Sequence, residues 1–550
     1  MSRVRRLWTA TRTRRTVQLL FLGLFFGLVL LARAQPNAEA DHAVELFFQL
    51  DPLILIATTL AAHAVHAVGL ALGTIVVTIL LGRVFCGWAC PLGTIHAIAG
   101  RVFDRFQSRQ ARAKRRDHYS RWQLAKYYLL TAFLVMAVFG VHWGAIWDPL
   151  VLLYRTTTTA LMPALQWTVE EGSTAVYKAD PGVGSARLVK LTDPPYNYCR
   201  EHVFNLPQQA FLGGGVILLV FVAMVLANGY RRRFWCRYLC PLGALLGVFS
   251  VRPLLRRVAN QESCNQCDLC AMSCHGAAGK SPGDQWKPAE CFGCLNCTDS
   301  CHRGSLRFQW VWPWRRQPAV EGIDVSKRAL LGAAVGGLVA LPLMRTNPQS
   351  RGKLYHPLLI RPPGSREESE FLARCTSCGL CMKICPTGGL QPSLFEAGLE
   401  GLWTPRLVPQ IGYCDYTCTL CGQVCPTEAI QRLTEEEKHK QRIGLASFDV
   451  TRCIPYAYGR DCMVCEEHCP IPDKAIYSLE VEIRDRNGQP KTIKQPHVDP
   501  EKCTGCGVCE NVCPFKDRPG IRVSSANESR HPAQVGRAGN QPILPEDSPY

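Results

Sequence analysis

A chain of 550 residues with 47% hydrophobic and 9% aromatic residues has room for several packed domains and is not a disordered or collagen-like polymer. Its formal charge of +18 would suit nucleic acid if it were spread over a soluble domain, but the Arg and Lys crowd beside apolar segments. That is a membrane-orientation pattern, so nucleic acid is not an expected partner. The 29 cysteines recur at short, repeated spacings in a long chain, which excludes a small disulfide-stapled scaffold.

Six arginines in the first fifteen residues precede an apolar run from Val17 to Ala32, which reads as a membrane helix with a cytoplasmic N-terminus. A cleaved signal peptide fits less well, because further apolar segments follow at once. Leu53 to Leu81 is apolar for longer than the roughly 20 residues of one span and should divide. Asp51-Pro52 reads as a helix N-cap with proline at the first helical position, starting a short helix, and a span of about Val68 to Phe85 follows. That span ends in GRVFCGWACPLGT, with Cys86 and Cys90 at i and i+4, the same-face spacing of a helix. The basic loop Arg101 to Arg121 marks the cytoplasmic side. Spans of about Leu124 to Val141 and Phe211 to Ala227 follow, the first trailed by a second Asp-Pro-Leu at Asp148 and the second by WCRYLCPLG with Cys236 and Cys240. Residues 1–255 therefore read as an α-helical membrane domain of four transmembrane helices with an internal parallel repeat, in which both C-x3-C-P pairs face the cytoplasm and converge. Trp167 to Pro207 is an insertion in the second repeat; its lone Cys199 has no partner of recognised spacing.

Residues 256–310 carry CNQCDLCAMSC and CFGCLNCTDSC, each spaced C-x2-C-x2-C-x3-C. Three thiolates of such a run hold one corner of a 4Fe-4S cluster while the fourth serves the neighbouring cluster. The expected sets are Cys264, Cys267, Cys270 and Cys301 on one cluster, and Cys291, Cys294, Cys297 and Cys274 on the other. Zinc prefers two well-separated C-x2-C pairs and fits less well. His275 and His302 stand where bacterial ferredoxin runs carry proline, which loosens the local turns.

Residues 311–345 form a linker and a fifth transmembrane or signal-like segment, Ser326 to Met344, whose Ser-Lys-Arg start resembles a degraded twin-arginine signal. Residues 346–523 hold four more quartets. Cys375, Cys378, Cys381, Cys385 and Cys503, Cys506, Cys509, Cys513 have the standard spacing; Cys414, Cys418, Cys421, Cys425 open with x3, and Cys453, Cys462, Cys465, Cys469 with x8. All four end in Cys-Pro. Six quartets predict six 4Fe-4S clusters, about 24 iron atoms per chain. The Ser-, Asn-, Pro- and Gly-rich tail, 524–550, is expected to be disordered.

GRVFCGWACPLG, WCRYLCPLG and the two central runs together resemble the NapH/MauN membrane quinol-dehydrogenase components. RPPG, FLARCTSCGLC and the four later quartets resemble the NapG/MauM four-cluster ferredoxins, of the α+β, bacterial 2x4Fe-4S type. A fusion of the two is implied. The resemblance implies quinol as substrate, an electron relay at Cys86, Cys90, Cys236 and Cys240, and electron flow to a periplasmic reductase or c-type cytochrome. It also implies residence in a bacterial inner membrane, with the central ferredoxin domain cytoplasmic and the C-terminal one periplasmic. By analogy with four-cluster subunits, the first C-terminal run is expected to share ligands with the fourth and the second with the third. The MauM/MauN likeness, with a looser one to the NosR group, equally admits a maturation factor that supplies electrons for assembling another enzyme.

The two C-x3-C pairs admit a shared thiolate metal or cluster site, dithiol-disulfide couples, or packing. His63, His66, His96 and His142 sit in or near apolar segments and admit a haem, quinone or hydrogen-bonding role. Asp51 and Asp148 read as helix caps that could also take quinol protons. No glycine-rich nucleotide loop stands between a strand and a helix.

Overall fold

The computed structural model describes residues 10–32, 45–64, 69–106, 119–179, 182–183, 186–187, 189–204, 209–279, 286–312, 322–345, 356–484 and 488–530. His66, residues 107–118 of the basic loop and residues 531–550 of the tail lie outside them. The chain divides into two compact units, Met1–Leu31 with Ala43–Thr157 and Gly215–Leu341, and Ala32–His42 with Thr158–Gly214 and Pro342–Tyr550.

In the first unit, helix Ala10–Leu31 is, with Lys327–Met344, one of two helices among the described residues long and apolar enough to cross a membrane. The inner spans come out shorter than expected, with 13 residues in Gly69–Leu81, 14 in Ala125–Val138 and 13 in Gly214–Leu226. A span needs about 20. Left-handed turns at Gly82 and Gly140 stop the first two. Two Asp-Pro-Leu sites start helices in the same way. Asp51 Oδ1 accepts from the amides of Leu53 and Ile54 at the head of Pro52–Ala62, and Asp148 Oδ1 from those of Leu150 and Val151 at the head of Pro149–Thr156. Proline at N1 lacks only an amide that a helix start leaves unpaired.

The two-cluster insert belongs to this unit and is not free-standing. Strands Leu255–Ala259 and Leu306–Trp310 pair antiparallel, from Leu255 opposite Trp310 to Ala259 opposite Leu306, and close its neck. Between them each cysteine run ends in a single four-residue helical turn, Leu269–Met272 and Asn296–Asp299.

The second unit takes in Thr158–Gly214, so the expected domain 1–255 does not hold together as one unit. The reason is visible in hydrogen bonds: Gln391 Nε2 donates to Ala210 O (3.2 Å), and Leu212 N to Gln391 Oε1 (3.0 Å). The ferredoxin part is built on three antiparallel strand pairs, Leu390–Pro392 with Pro405–Leu407, Leu445–Phe448 with the distant Ile521–Ser524, and Ile476–Arg484 with Pro490–Val498. Its core of Ile360, Phe371, Met382, Leu390, Ile430 and Ile476 is continuous with buried cysteines. Residues 524–530, expected to be disordered, are ordered. Ser525 and Glu528 are buried, and Arg530 grips Glu528 and Glu368.

The Arg-Pro-Pro-Gly stretch is the keystone of this unit. Arg361 is fully buried, forks onto both oxygens of Glu368 (2.6 and 3.1 Å), donates to Thr404 Oγ1 and Pro405 O, and lies over the Phe371 ring at 4.5 Å. Burial alone would raise the Glu368 carboxyl; Arg361 and Arg530 outweigh it and hold Glu368 below the usual range. The stability this lends is present above the ordinary carboxylate range and is lost as pH falls through the depressed folded value. Replacing Arg361→Met leaves the buried Glu368 carboxylate with Arg530 alone and frees Thr404 and Pro405 of their donor, and should cost about 3 kcal/mol. The expected outcome is an early loss of cluster absorbance in a urea titration; a parental midpoint would show the fork to be dispensable.

Candidate iron–sulfur centres

The cysteine loops share one backbone device. In the four standard runs, the residue before the second cysteine and the residue after it are left-handed: Gln266 and Asp268, Gly293 and Leu295, Ser377 and Gly379, Gly505 and Gly507. Alternation of hand turns successive amides inward, as in an anion-binding nest. Sulfur receives some of these amides, as in Gln266 N to Cys264 Sγ at 3.3 Å. In the stretched runs the residue after the second cysteine, Thr419 or Met463, is not left-handed (φ −116 and −119), because the added residues let the loop reach its ligands unkinked.

In the insert, Cys274 stands with Cys291, Cys294 and Cys297, and Cys301 with Cys270, the crossed grouping of the spacing rule. The Cys264 run is the more open, with Cys267 exposed. In the C-terminal part the expected pairing is overturned. Cys425 joins Cys375, Cys378 and Cys381, while Cys385 joins Cys414, Cys418 and Cys421, so the first run pairs with the second. Cys513 likewise joins Cys453 and Cys462, with Cys465 beside them, and Cys469 joins Cys503 and Cys506, with Cys509 beside them. Each pair combines one standard run with one stretched run. Neighbours along the chain close shorter loops than first-with-fourth pairing would, at lower entropic cost. The two pairs meet where Cys414 N donates to Cys506 O (2.8 Å), which brings the site of Cys414 beside that of Cys506. Burial pushes the Cys375 and Cys506 thiols up to about 12. Metal binding must therefore displace their protons, and apolar walls such as Leu390, Leu407, Leu420 and Ile443 around one quartet suit a dry cluster.

The C-x3-C pairs depart from the expected straight helix. Cys86 lies in a π-turn, Phe85–Ala89, and Cys90 N reaches back to Phe85 O; in the second pair Cys240 N reaches back to Trp235 O. Cys90 and Cys240 are extended (ψ 117 and 111) and cap the next helix, each Sγ accepting from a glycine amide, Gly93 at 3.4 Å and Gly243 at 3.2 Å. The following proline forbids the helical conformation to the cysteine before it, so each pair straddles a junction between helices. The two pairs do converge: Cys90 faces Cys86 and Cys236, and Cys240 faces all three others.

The insert is seated on this junction. The Gly87 backbone lies against Phe292, and a Cβ at Gly87 would stand 2.0 Å from Phe292 O. Trp88 Nε1 donates to Gly293 O (2.9 Å), Arg83 Nη1 to Ala289 O (2.8 Å) and Arg233 Nη1 to Cys86 O (3.1 Å). Both guanidinium groups lie 4.9 Å from the Phe292 ring centroid. Nearby, Glu290 is held by Lys126, Tyr127 and Gln123. None of Arg83, Arg233, Phe292 or Glu290 was singled out from sequence, although an arginine three residues ahead of both C-x3-C pairs was there to be read.

Asp51 and Asp148 turn their second oxygens, both buried and without a donor, toward each other. Trp147 and Trp235, the residues just before Asp148 and Cys236, stack with parallel rings 5.4 Å apart. His142 meets Thr58 Oγ1 (3.3 Å), His96 meets Asn228 (2.6 Å) and His63 caps a helix end in left-handed conformation. Cys199 lies in helix Val189–His202, away from any quartet.

Comparison with known proteins agrees with this chemistry. A family model described as a 4Fe-4S binding domain matches twice, at 64–110 and 213–258; others of that description match 372–391 and 288–304, and a 4Fe-4S dicluster domain matches 460–516. The ferredoxin-type protein NapG of Escherichia coli is 36% identical over 201 residues, 36% of this chain and 82% of NapG. The methylamine utilization ferredoxin-type protein MauM of Methylorubrum extorquens is 39% identical over 205 residues, 84% of MauM. The chain belongs to the NapG/MauM family of ferredoxin-type proteins. That membership covers about a third of it. The putative electron transport protein YccM of Escherichia coli is 28% identical over 240 residues, 43% of this chain and 54% of YccM. No solved structure matches. Iron–sulfur binding and an electron-transfer role follow for this NapG/MauM relative.

Changing Gly87→Ala drives a Cβ into backbone, not into a flexible side-chain end, and should cost about 1–3 kcal/mol. Bleaching of the insert's clusters in urea should come at lower denaturant, while Gly332→Ala, which meets nothing within 4 Å, should leave it unchanged.

Proposed function

We propose that the chain is a NapH/MauN-type membrane component fused to its NapG/MauM-type ferredoxin, carrying six 4Fe-4S clusters and passing electrons from membrane quinol to a periplasmic acceptor, a reductase or a c-type cytochrome. The observation that carries this reading is the seat of the Cys291–Cys297 loop on the Cys86–Cys90 turn. Backbone contact there gives electrons a short route between a cluster and the converged thiols.

Several features support membrane residence. The apolar helices expose large side chains: Leu19, Leu20 and Leu24 on the first, Leu72 and Val76 on Gly69–Leu81, Leu219 and Val222 on Gly214–Leu226, and Leu331 and Val339 on Lys327–Met344. Such a belt suits lipid. The recurrence of Asp-Pro-Leu, Arg-x2-Cys-x3-Cys-Pro-Leu-Gly and one family model favours a parallel repeat, which returns both cysteine pairs to one side. Residues 209–212 hydrogen-bond into the C-terminal ferredoxin part, and the apolar helix Gly214–Leu226 separates them in sequence from Cys236. On this reading the C-terminal part is assigned to the periplasm and the central insert to the cytoplasm.

Iron–sulfur clusters at the quartets supply one-electron carriage. A quinol becoming quinone releases two electrons and two protons, so the electrons leave singly. The protein's own part is to hold the carriers in file, to exclude water from their thiolates and to offer a proton acceptor. The buried Asp51–Asp148 pair, whose second oxygens face each other without a donor, is the acceptor this reading assigns.

In membranes under anaerobic conditions, a short-chain quinol should reduce the clusters, and Cys86→Ser with Cys236→Ser should abolish quinol-dependent reduction of the C-terminal four without changing their iron. A parental rate in that variant would route electrons elsewhere. Reporter fusions after Gly304 and after Arg361 should report opposite sides of the membrane; two cytoplasmic signals would remove the periplasmic acceptor.

A further inference from the structure

Four thiols, two buried guanidinium groups and two helix starts converge at a place to which the six quartets assign nothing. We propose that Cys86, Cys90, Cys236 and Cys240 together hold a seventh iron–sulfur cluster, with Arg83 and Arg233 as its charge partners. This deepens the electron-transfer reading and rests on it only for the cluster's purpose.

The first argument is charge. Arg83 and Arg233 are fully buried, yet Nε and Nη2 of each have no hydrogen-bond partner. Arg83 lies within charge range of Cys86 and Cys240, and its Nη2 stands 2.7 Å from where a Cβ of Gly243 would be, beside Cys240 Sγ. Arg233 faces Cys236. Glu290 is shared between Lys126 and Arg83, and Arg233 has no carboxylate within ion-pair reach among the described residues. Two buried, incompletely paired cations are costly unless an anion sits among them. Neutral thiols supply none. Four thiolates around a cluster core supply a net negative charge.

The second argument is ligand geometry. The four thiols face one another across the two helix starts, Cys90 toward Cys86 and Cys236, and Cys240 toward all three others, the four-thiolate set that a cluster takes. Their sulfurs also receive amide hydrogen bonds, Gly93 to Cys90 and Gly243 to Cys240, as Cys425 receives Ile430 and Cys513 receives Gly520 in the ferredoxin part. Such bonds tune cluster potential. A dithiol–disulfide couple would need two electrons and two protons at once beside carriers that take one electron and no proton. A cluster held by Cys86, Cys90, Cys236 and Cys240 would supply one-electron carriage matched to that of the neighbouring clusters, with Arg83 and Arg233 offsetting its charge.

The test is iron counting on the full-length protein, purified anaerobically in detergent, with no donor or acceptor present. Seven clusters predict about 28 iron atoms and matching sulfide, against about 24 for six. Cys86→Ser with Cys236→Ser should remove about four iron atoms and one Mössbauer component, while Cys199→Ser removes none. The six remaining clusters report whether the variant has folded. Arg233→Gln keeps every thiol and should shift one midpoint potential to a more negative value, since a lost positive charge disfavours the reduced state. About 24 iron atoms in both parent and double variant, or loss of a single zinc or copper ion instead, would overturn the seventh cluster. Loss of quinol-dependent reduction with all seven clusters in place would instead overturn the quinol reading.

Discussion

The first unit depends on the placement of Phe292, a ring between two cysteine ligands, against two buried guanidinium groups. Each arginine stands three residues ahead of a C-x3-C pair, so a single contact ties both pairs to one cluster loop. Backbone completes it. Arg83 donates across the contact to Ala289 O, Arg233 ties the second pair to the first through Cys86 O, and Gly87 leaves no side chain in the gap. A cation over an aromatic face in a dry setting is worth about 2 kcal/mol or more, and two of them hold a loop that has little apolar core of its own.

The second unit solves the same problem without a membrane-like scaffold. Its cysteines are part of the hydrophobic core, and its short strands serve mainly to fix where each run begins and ends. Arg361 bridges Glu368 to the Thr404–Pro405 strand, which tethers the chain just before the first run to the strand before the second. That tether is why those two runs can exchange their fourth cysteines. Two such exchanges, joined by the Cys414 N to Cys506 O hydrogen bond, bring the four sites into one unit.

Local chemistry was legible in the sequence because it is local. The quartets, the Asp-Pro helix starts and the Cys-Pro junctions each rest on residues a few positions apart, where ligand spacing and proline sterics act directly. The crossed sharing of Cys274 and Cys301 was legible for the same reason. The C-x3-C pairs were misread as one straight helical face, since proline after Cys90 and Cys240 ends one helix and begins another.

What the tertiary structure alone decided involves partners distant in the chain. It paired the C-terminal runs first-with-second and third-with-fourth, drew residues 158–214 into the second unit, ordered residues 524–530 through Arg530, and faced Asp51 with Asp148. It also brought Arg83 and Arg233 to Phe292. Cysteine spacing names the ligands of a cluster but leaves the choice of neighbour to loop closure and burial, which depend on the whole packed unit. A buried arginine, likewise, looks like any other surface charge until the anion or ring that holds it has been brought into place.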